Sequence, residues 1–142
     1  MASPNSQTSI PLQNLSCNQA IRLLAKLKAM NVNAAGDTAV PVIAATTWSV
    51  KDIVFANASA AMSTAAVGIF TSPASAGTAI LASTLLTTLT TAALSIQDVA
   101  GATTNMQTAQ VLYMRNITAL GSAGTVDVFV YGYDLDSGTS SA

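Results

Sequence analysis

The chain contains no histidine, no glutamate and a single cysteine in its 142 residues. Without histidine there can be no Ser-His-Asp triad, no Cys–His dyad and no His-ligated zinc site. One thiol, Cys17, excludes an intrachain disulfide and a CxxC site. Charge is scarce as well: 8% of residues are charged, against roughly 25% in an ordinary soluble domain. The net charge is -1 and the pI about 4.8, so the surface exerts little self-repulsion and association is easy. The basic residues are Arg22, Lys26, Lys28, Lys51 and Arg115. They are too few for a nucleic-acid face. Walker loops and G-x-G-x-x-G motifs are absent. These gaps predict no enzyme activity, no cofactor and no metal.

Residues 1–14, "MASPNSQTSIPLQN", lack a basic segment followed by an apolar one, so no signal peptide is expected. No charged residue occurs from Ile53 to Gln97. That stretch is rich in Ser, Thr, Ala and Gly, its apolar runs are short, and no basic cluster flanks it. It therefore reads as strands and not as a membrane segment. Two readings fit: a sheet with a hydroxyl-rich outer face, or a surface packed against other subunits, where charged side chains are costly to desolvate.

The length suits one domain. Residues 1–13, with Pro4, Pro11 and several polar side chains, read as an extended arm. Residues 16–30, "SCNQAIRLLAKLKAM", predict an amphipathic helix. Ser16 and Gln19 have capping-box spacing. Cys17, Ala20, Ile21, Leu24 and Leu27 share one face, with Asn18, Arg22 and Lys26 opposite. Lys26 and Lys28 fall in the last turn, where the helix dipole favours cations. Such a helix fits packing on its own subunit as well as docking on a neighbour or a larger particle. On the apolar face Cys17 is expected to be a buried, inert thiol.

After Gly36 the pattern changes to strands: residues 38–48, 50–59, 65–70, 78–89, 93–96, 110–118 and 125–135. Pro41 implies an edge or strand-start position. Residues 80–94 also fit a helical face, but their many threonines favour strand. Residues 110–135, "QVLYMRNIT-ALGSAG-TVDVFVYGYDL", read as a β-hairpin, as do residues 65–83, "AAVGIF-TSPASAG-TAILAS". In the last strand Val126, Val128 and Val130 alternate with Asp127, Phe129, Tyr131 and Tyr133. The valines are expected to face the core. The second face, which holds three of the six Phe and Tyr residues, fits a subunit contact or a second buried face. The expected fold is mainly β: a β-sandwich or jelly-roll body over residues 37–135, an N-terminal arm and helix over 1–36, and a tail over 136–142.

Little chemistry remains. Asp134, Asp136 and Gly138 in "DLDSG" resemble the start of a calcium loop, but the downstream Glu is missing and a solvated tail is the better reading. Asp52 and Asp127 are placed to pair with Lys51 or Arg115 across strands. The sequons at Asn14, Asn57 and Asn116 are about as many as chance gives in a Ser/Thr-rich chain.

Residues 50–135 nevertheless resemble small virion proteins of tailed bacteriophages. The resemblance lies in "LYMRNIT" (Leu112, Tyr113, Arg115, Thr118), a glycine/alanine turn, and "DVFVYGYDL" (Asp127, Val128, Val130, Tyr131, Gly132, Leu135). It implies a capsid decoration or cement protein, a β-sandwich and often a trimer. Such a protein binds the major capsid protein on the outside of the head, with no nucleic-acid or membrane partner. Its expected location is the virion surface after synthesis in the bacterial cytoplasm. On that reading Ile21, Leu24, Leu27, Arg22 and Lys26 dock on the capsid, while Phe129, Tyr131 and Tyr133 make subunit contacts. A tail or fibre component that binds a receptor or glycan is the alternative.

Overall fold

The computed structural model describes residues 21–43, 45–98 and 106–136. They form eight strands: β1 (Arg22–Asn31), β2 (Gly36–Pro41), β3 (Trp48–Ala56), β4 (Ala66–Phe70), β5 (Ala79–Leu85), β6 (Ser95–Asp98), β7 (Val111–Thr118) and β8 (Thr125–Asp134). One four-stranded sheet has the order β1-β8-β3-β6 and the other β2-β7-β4-β5. Every neighbouring pair is antiparallel. The two sheets face each other across a single hydrophobic core. No helix among the described residues is long and apolar enough to cross a membrane.

The pairings are nested. β4 pairs with β5, β3 with β6, β2 with β7 and β1 with β8. The chain is thus one long antiparallel ribbon with its tip at the β4–β5 turn, rolled so that successive pairs fall in alternate sheets. That tip is a true hairpin, as expected. It is closed by Thr71 N–H to Thr78 O (3.1 Å) and Thr78 N–H to Thr71 Oγ1 (2.8 Å). Gly77 (φ 71°) supplies a left-handed residue there, and a Cβ at this position would sit 2.4 Å from Thr71 Oγ1.

β8 lies between β1 and β3, in the middle of its sheet. Val126, Val128 and Val130 point inward and are fully buried, as the alternation predicts. Leu24 from β1 and Trp48, Val50, Ile53 and Phe55 from β3 join them. The facing sheet supplies Val40, Leu112, Met114, Val67, Ile69 and Ile80. Gly132 continues the inward row. A Cβ there would lie 2.0 Å from the Ser49 carbonyl oxygen and 2.9 Å from Leu24 Cδ1. This position closes the sheet tightly and excludes any side chain.

Three expectations need correction. Residues 22–31 are strand, not helix, and they pair along β8. Bulges between Leu23 and Ala25 and between Leu27 and Met30 break the two-residue alternation. The inward residues therefore become Leu24, Ala25 and Met30, with Leu27 packed at the core's margin. That roughly three-residue spacing imitates a helical face. The expected helix start at Ser16, the residues Cys17 and Ala20, and the arm lie outside the described residues. The sandwich accordingly begins at β1 and not at residue 37.

β7 and β8 do not form a hairpin. They lie in different sheets, β7 beside β2 and β4 and β8 beside β1 and β3. The connection's backbone groups are bonded to Val32 instead of to each other. Leu120 N–H donates to Val32 O (2.8 Å), and Val32 N–H donates to Gly124 O (3.0 Å). In residues 80–94 the strand reading holds as far as β5, which runs to Leu85, and turns with a bridge between Thr90 and Ala93 lead into β6. Pro41 ends β2, an edge strand, in keeping with its missing N–H.

Gly132→Ala is expected to destabilise the protein by about 3 kcal/mol or more, since overpacking meets backbone and not a movable side chain. Urea unfolding measures it, and a wild-type midpoint contradicts the packing described.

Candidate interaction surface

The outward residues of β8 organise one face of the molecule. The register places Lys26 of β1, Phe129 of β8, Val54 of β3 and Ile96 of β6 in one row across the sheet. Tyr131 stands beside Leu23 and Asp52, and Tyr133 beside Ser49. Phe129, Tyr131 and Tyr133 are half-buried. The row becomes more exposed toward the β6 edge, where Ile96 is 58% exposed. Lys28 Nζ stands 5.4 Å from the centre of the Phe129 ring, a cation–π distance that covers part of that ring.

Asp127 shares the outward parity but is buried. Its Oδ2 accepts from Lys28 Nζ (2.5 Å) and Asn57 Nδ2 (2.8 Å), and its Oδ1 accepts from the Ala29 amide (2.8 Å). Ala29 (φ 53°) and Asn57 (φ 52°) are both left-handed, so this carboxylate holds two strained backbone positions beside the second bulge of β1. Burial works to raise the Asp127 carboxyl. The hydrogen bonds from Lys28, Ala29 and Asn57 more than offset that and hold its pKa at about 2, below the ordinary 3.8.

The expected docking residues do not share a face. Leu24 is in the core and Leu27 packs against it. Leu24 is thereby withdrawn from docking, while Leu27 stays half-buried at the core's margin. Arg22 donates to Asp134 Oδ2 (2.7 Å). Ile21 (51% exposed) and Lys26 remain on the surface.

The other charges are also engaged at home. Arg115 pairs with Asp37 (2.9 Å) across β2 and β7, and Lys51 lies 3.6 Å from Asp52. Asp127 takes Lys28, not the Lys51 or Arg115 that strand spacing suggests. Asp37 also accepts from the Ala74 amide (2.9 Å), so the β4–β5 tip is fastened to the far edge strand. Four of the five cationic side chains are thus committed within the molecule.

The acidic end is structural. Asp136 accepts from the Thr46 hydroxyl (2.6 Å), the Thr46 amide and the Thr47 amide (2.6 Å). These bonds, the Thr46 hydroxyl foremost, hold its pKa below the ordinary value. Gly138 lies outside the described residues, and no group of three His, Cys, Asp or Glu side chains among them is placed to hold a metal ion. Of the sequon asparagines, Asn116 is buried and donates to Val32 O (2.9 Å) and Ala34 O (2.8 Å), Asn57 serves Asp127, and Asn14 lies outside the described residues.

The sequence signals the apolar residues of β5, β6 and their connection only as part of the long uncharged stretch, not one by one. Leu85, Leu94 and Ile96 are 60%, 57% and 58% exposed, yet their composition is that of any strand interior. Only the β3–β6 register reveals that Ile96 extends the row from Phe129. No family model matches the chain, and neither a curated protein nor a solved structure matches it.

A carboxyl whose pKa is depressed in the folded state stabilises above its unfolded value of about 3.8 and loses that contribution as pH falls toward the folded value. Stability is therefore expected to drop between about pH 4 and about pH 2. Asp127→Asn should flatten part of that drop and cost about 1–3 kcal/mol at pH 7, since its three donors lose a charged acceptor. Urea unfolding across pH measures both; an unchanged pH profile contradicts the role given to Asp127.

Proposed function

We propose that the protein is a non-enzymatic structural component of a bacteriophage particle, a decoration or cement protein on the outside of the head, acting as a homo-oligomer with a trimer favoured. The observation that carries this reading is the division of its surface. Most of its few charges are spent on internal pairs, while large apolar side chains such as Ile21, Leu85, Leu94 and Ile96 stand exposed. Such a surface suits permanent contact between neutral surfaces better than steering of a charged ligand. The nested strand order also supports it, because jelly rolls of this order recur in viral capsid proteins. They recur in lectins and cupins too, so the fold alone assigns no function.

The residues that carry the phage resemblance have structural work in this sandwich. Leu112, Val128 and Val130 fill the core, Asp127 fastens the bulge of β1, and Gly132 admits the Ser49 carbonyl. The mechanism would be passive: many weak contacts per particle add up through multivalency. Trp48 weighs against a sugar-stacking tail module. It is the one tryptophan, fully buried, and its indole N–H donates to Ala109 O (2.9 Å).

Electron microscopy of the particle carrying this protein is expected to place it on the head exterior. Ile21→Asp combined with Lys26→Glu is expected to lower head occupancy at least about tenfold with little change in melting temperature, since both side chains are exposed. Density confined to the tail overturns the head reading.

A further inference from the structure

The outer face of the β1-β8-β3-β6 sheet is apolar at the end where β1 begins and β8 finishes. Tyr131 pairs with Leu23 and Gly132 with Arg22, and Ile21 stands exposed one residue before. On the other side Tyr133 pairs with Ser49 of β3, and Leu135 N–H donates to Thr47 O (2.8 Å). Beyond β3, Gln107 bridges Trp48 and is preceded by Met106. Tyr131, Tyr133 and Leu135 share the outward parity. Leu135 and Met106 are exposed, and Met106, at 70%, is the most exposed large hydrophobic residue among those described. The charges that border these side chains are engaged with one another or with backbone. Arg22 pairs with Asp134, Lys51 lies beside Asp52, and Asp136 accepts from Thr46 and Thr47. Toward the β6 edge the composition turns acidic, with Asp98 opposite Asp52 in the register. The apolar end therefore stops short of that edge.

The chain enters this end of the sheet from residues 1–20, which lie outside the described residues. They carry no charged side chain and include Ile10, Leu12 and Leu15. We propose that residues 1–20 pack on the outer face of their own subunit, over Tyr133, Leu135 and Met106, with Leu12 and Leu15 as anchors. The reach is sufficient. From β1 to Met106 is three strand spacings, about 15 Å. Residues 15–20 alone span about 20 Å when extended. The tether decides between this segment and another copy, since it holds the segment at an effective concentration on the order of millimolar. Charge agrees: an uncharged segment meets side chains whose charged neighbours are already paired, so docking strips water from no unpartnered charge. An exposed apolar group of this kind marks a contact site, and the occupant attached to its rim is the chain itself. This inference goes beyond the head reading and does not rest on it. It gives Tyr131 and Tyr133 a cover from within the subunit.

The test is nuclear magnetic resonance of the full chain with labelled methyl groups, with reductant present so that Cys17 cannot link copies. Contacts from the Leu12 and Leu15 methyls to those of Leu135 and Met106 are the expected result. In an equal mixture of differently labelled copies, those contacts should stay within one copy. Leu12→Asp with Leu15→Asp is expected to abolish them and to speed amide exchange of residues 12–20 at least about tenfold. Exchange at Val128 and Val130 should stay at the wild-type rate, which separates a released segment from a lost fold. Absence of the contacts in wild type overturns the inference. Contacts that cross between copies overturn it in favour of a second copy, and contacts to Met106 and Leu135 from residues 99–105 alone overturn it in favour of that connection.

Discussion

The insertion of β8 between β1 and β3 is the constraint on which the sandwich depends. A central strand must satisfy backbone partners on both sides and present one face to the core. Val126, Val128 and Val130 meet the second demand with stiff, branched side chains that suit a pleated surface. Gly132 meets the first at its tightest point, where the neighbouring carbonyl of Ser49 occupies the space a side chain would need. The outer ribbon pair, β1 with β8, encloses the others, so that ends distant in sequence are joined. Arg22 reaches Asp134, Lys28 reaches Asp127, and Thr46 and Thr47 hold Asp136. These bonds fasten the ribbon's open end, which has no turn to close it.

Much of this was legible in the residues, and the failures have identifiable causes. Strands β3, β7 and β8 announce themselves because burial largely follows the two-residue period, and β4 because it is a short apolar run. The β4–β5 hairpin is legible because its turn chemistry is local. The apparent β7–β8 hairpin has the same local chemistry, glycine and small residues between two alternating strands. Whether such a connection folds back or crosses to the other sheet is decided by distant partners, here Val32. β1 misleads for a different reason. Its two bulges shift the inward phase, and Leu, Ala and Lys are strong helix formers, so periodicity and propensity both suggest the wrong element. Pairing with β8 overrides them.

The interaction surface was legible only in part. Parity alone separates Phe129, Tyr131 and Tyr133 from the valines, and they do lie on the outer face. The extension to Val54 and Ile96 depends on register between strands some forty residues apart, which no single-strand pattern encodes. The long uncharged stretch also proves to serve two purposes. β4, in its middle, is buried throughout, so part of the missing charge reflects core. Exposed apolar side chains collect in the latter part, at Leu85, Leu94 and Ile96, and there the absence of charge becomes a property of the surface.

Cross-strand proton contacts by nuclear magnetic resonance test the β1–β8 pairing most directly. Close contacts between Lys26 and Phe129 and between Leu27 and Val128, with extended-chain chemical shifts through residues 22–31, are the predicted result. Helical shifts and contacts three residues apart within that segment, with nothing joining it to β8, would contradict it.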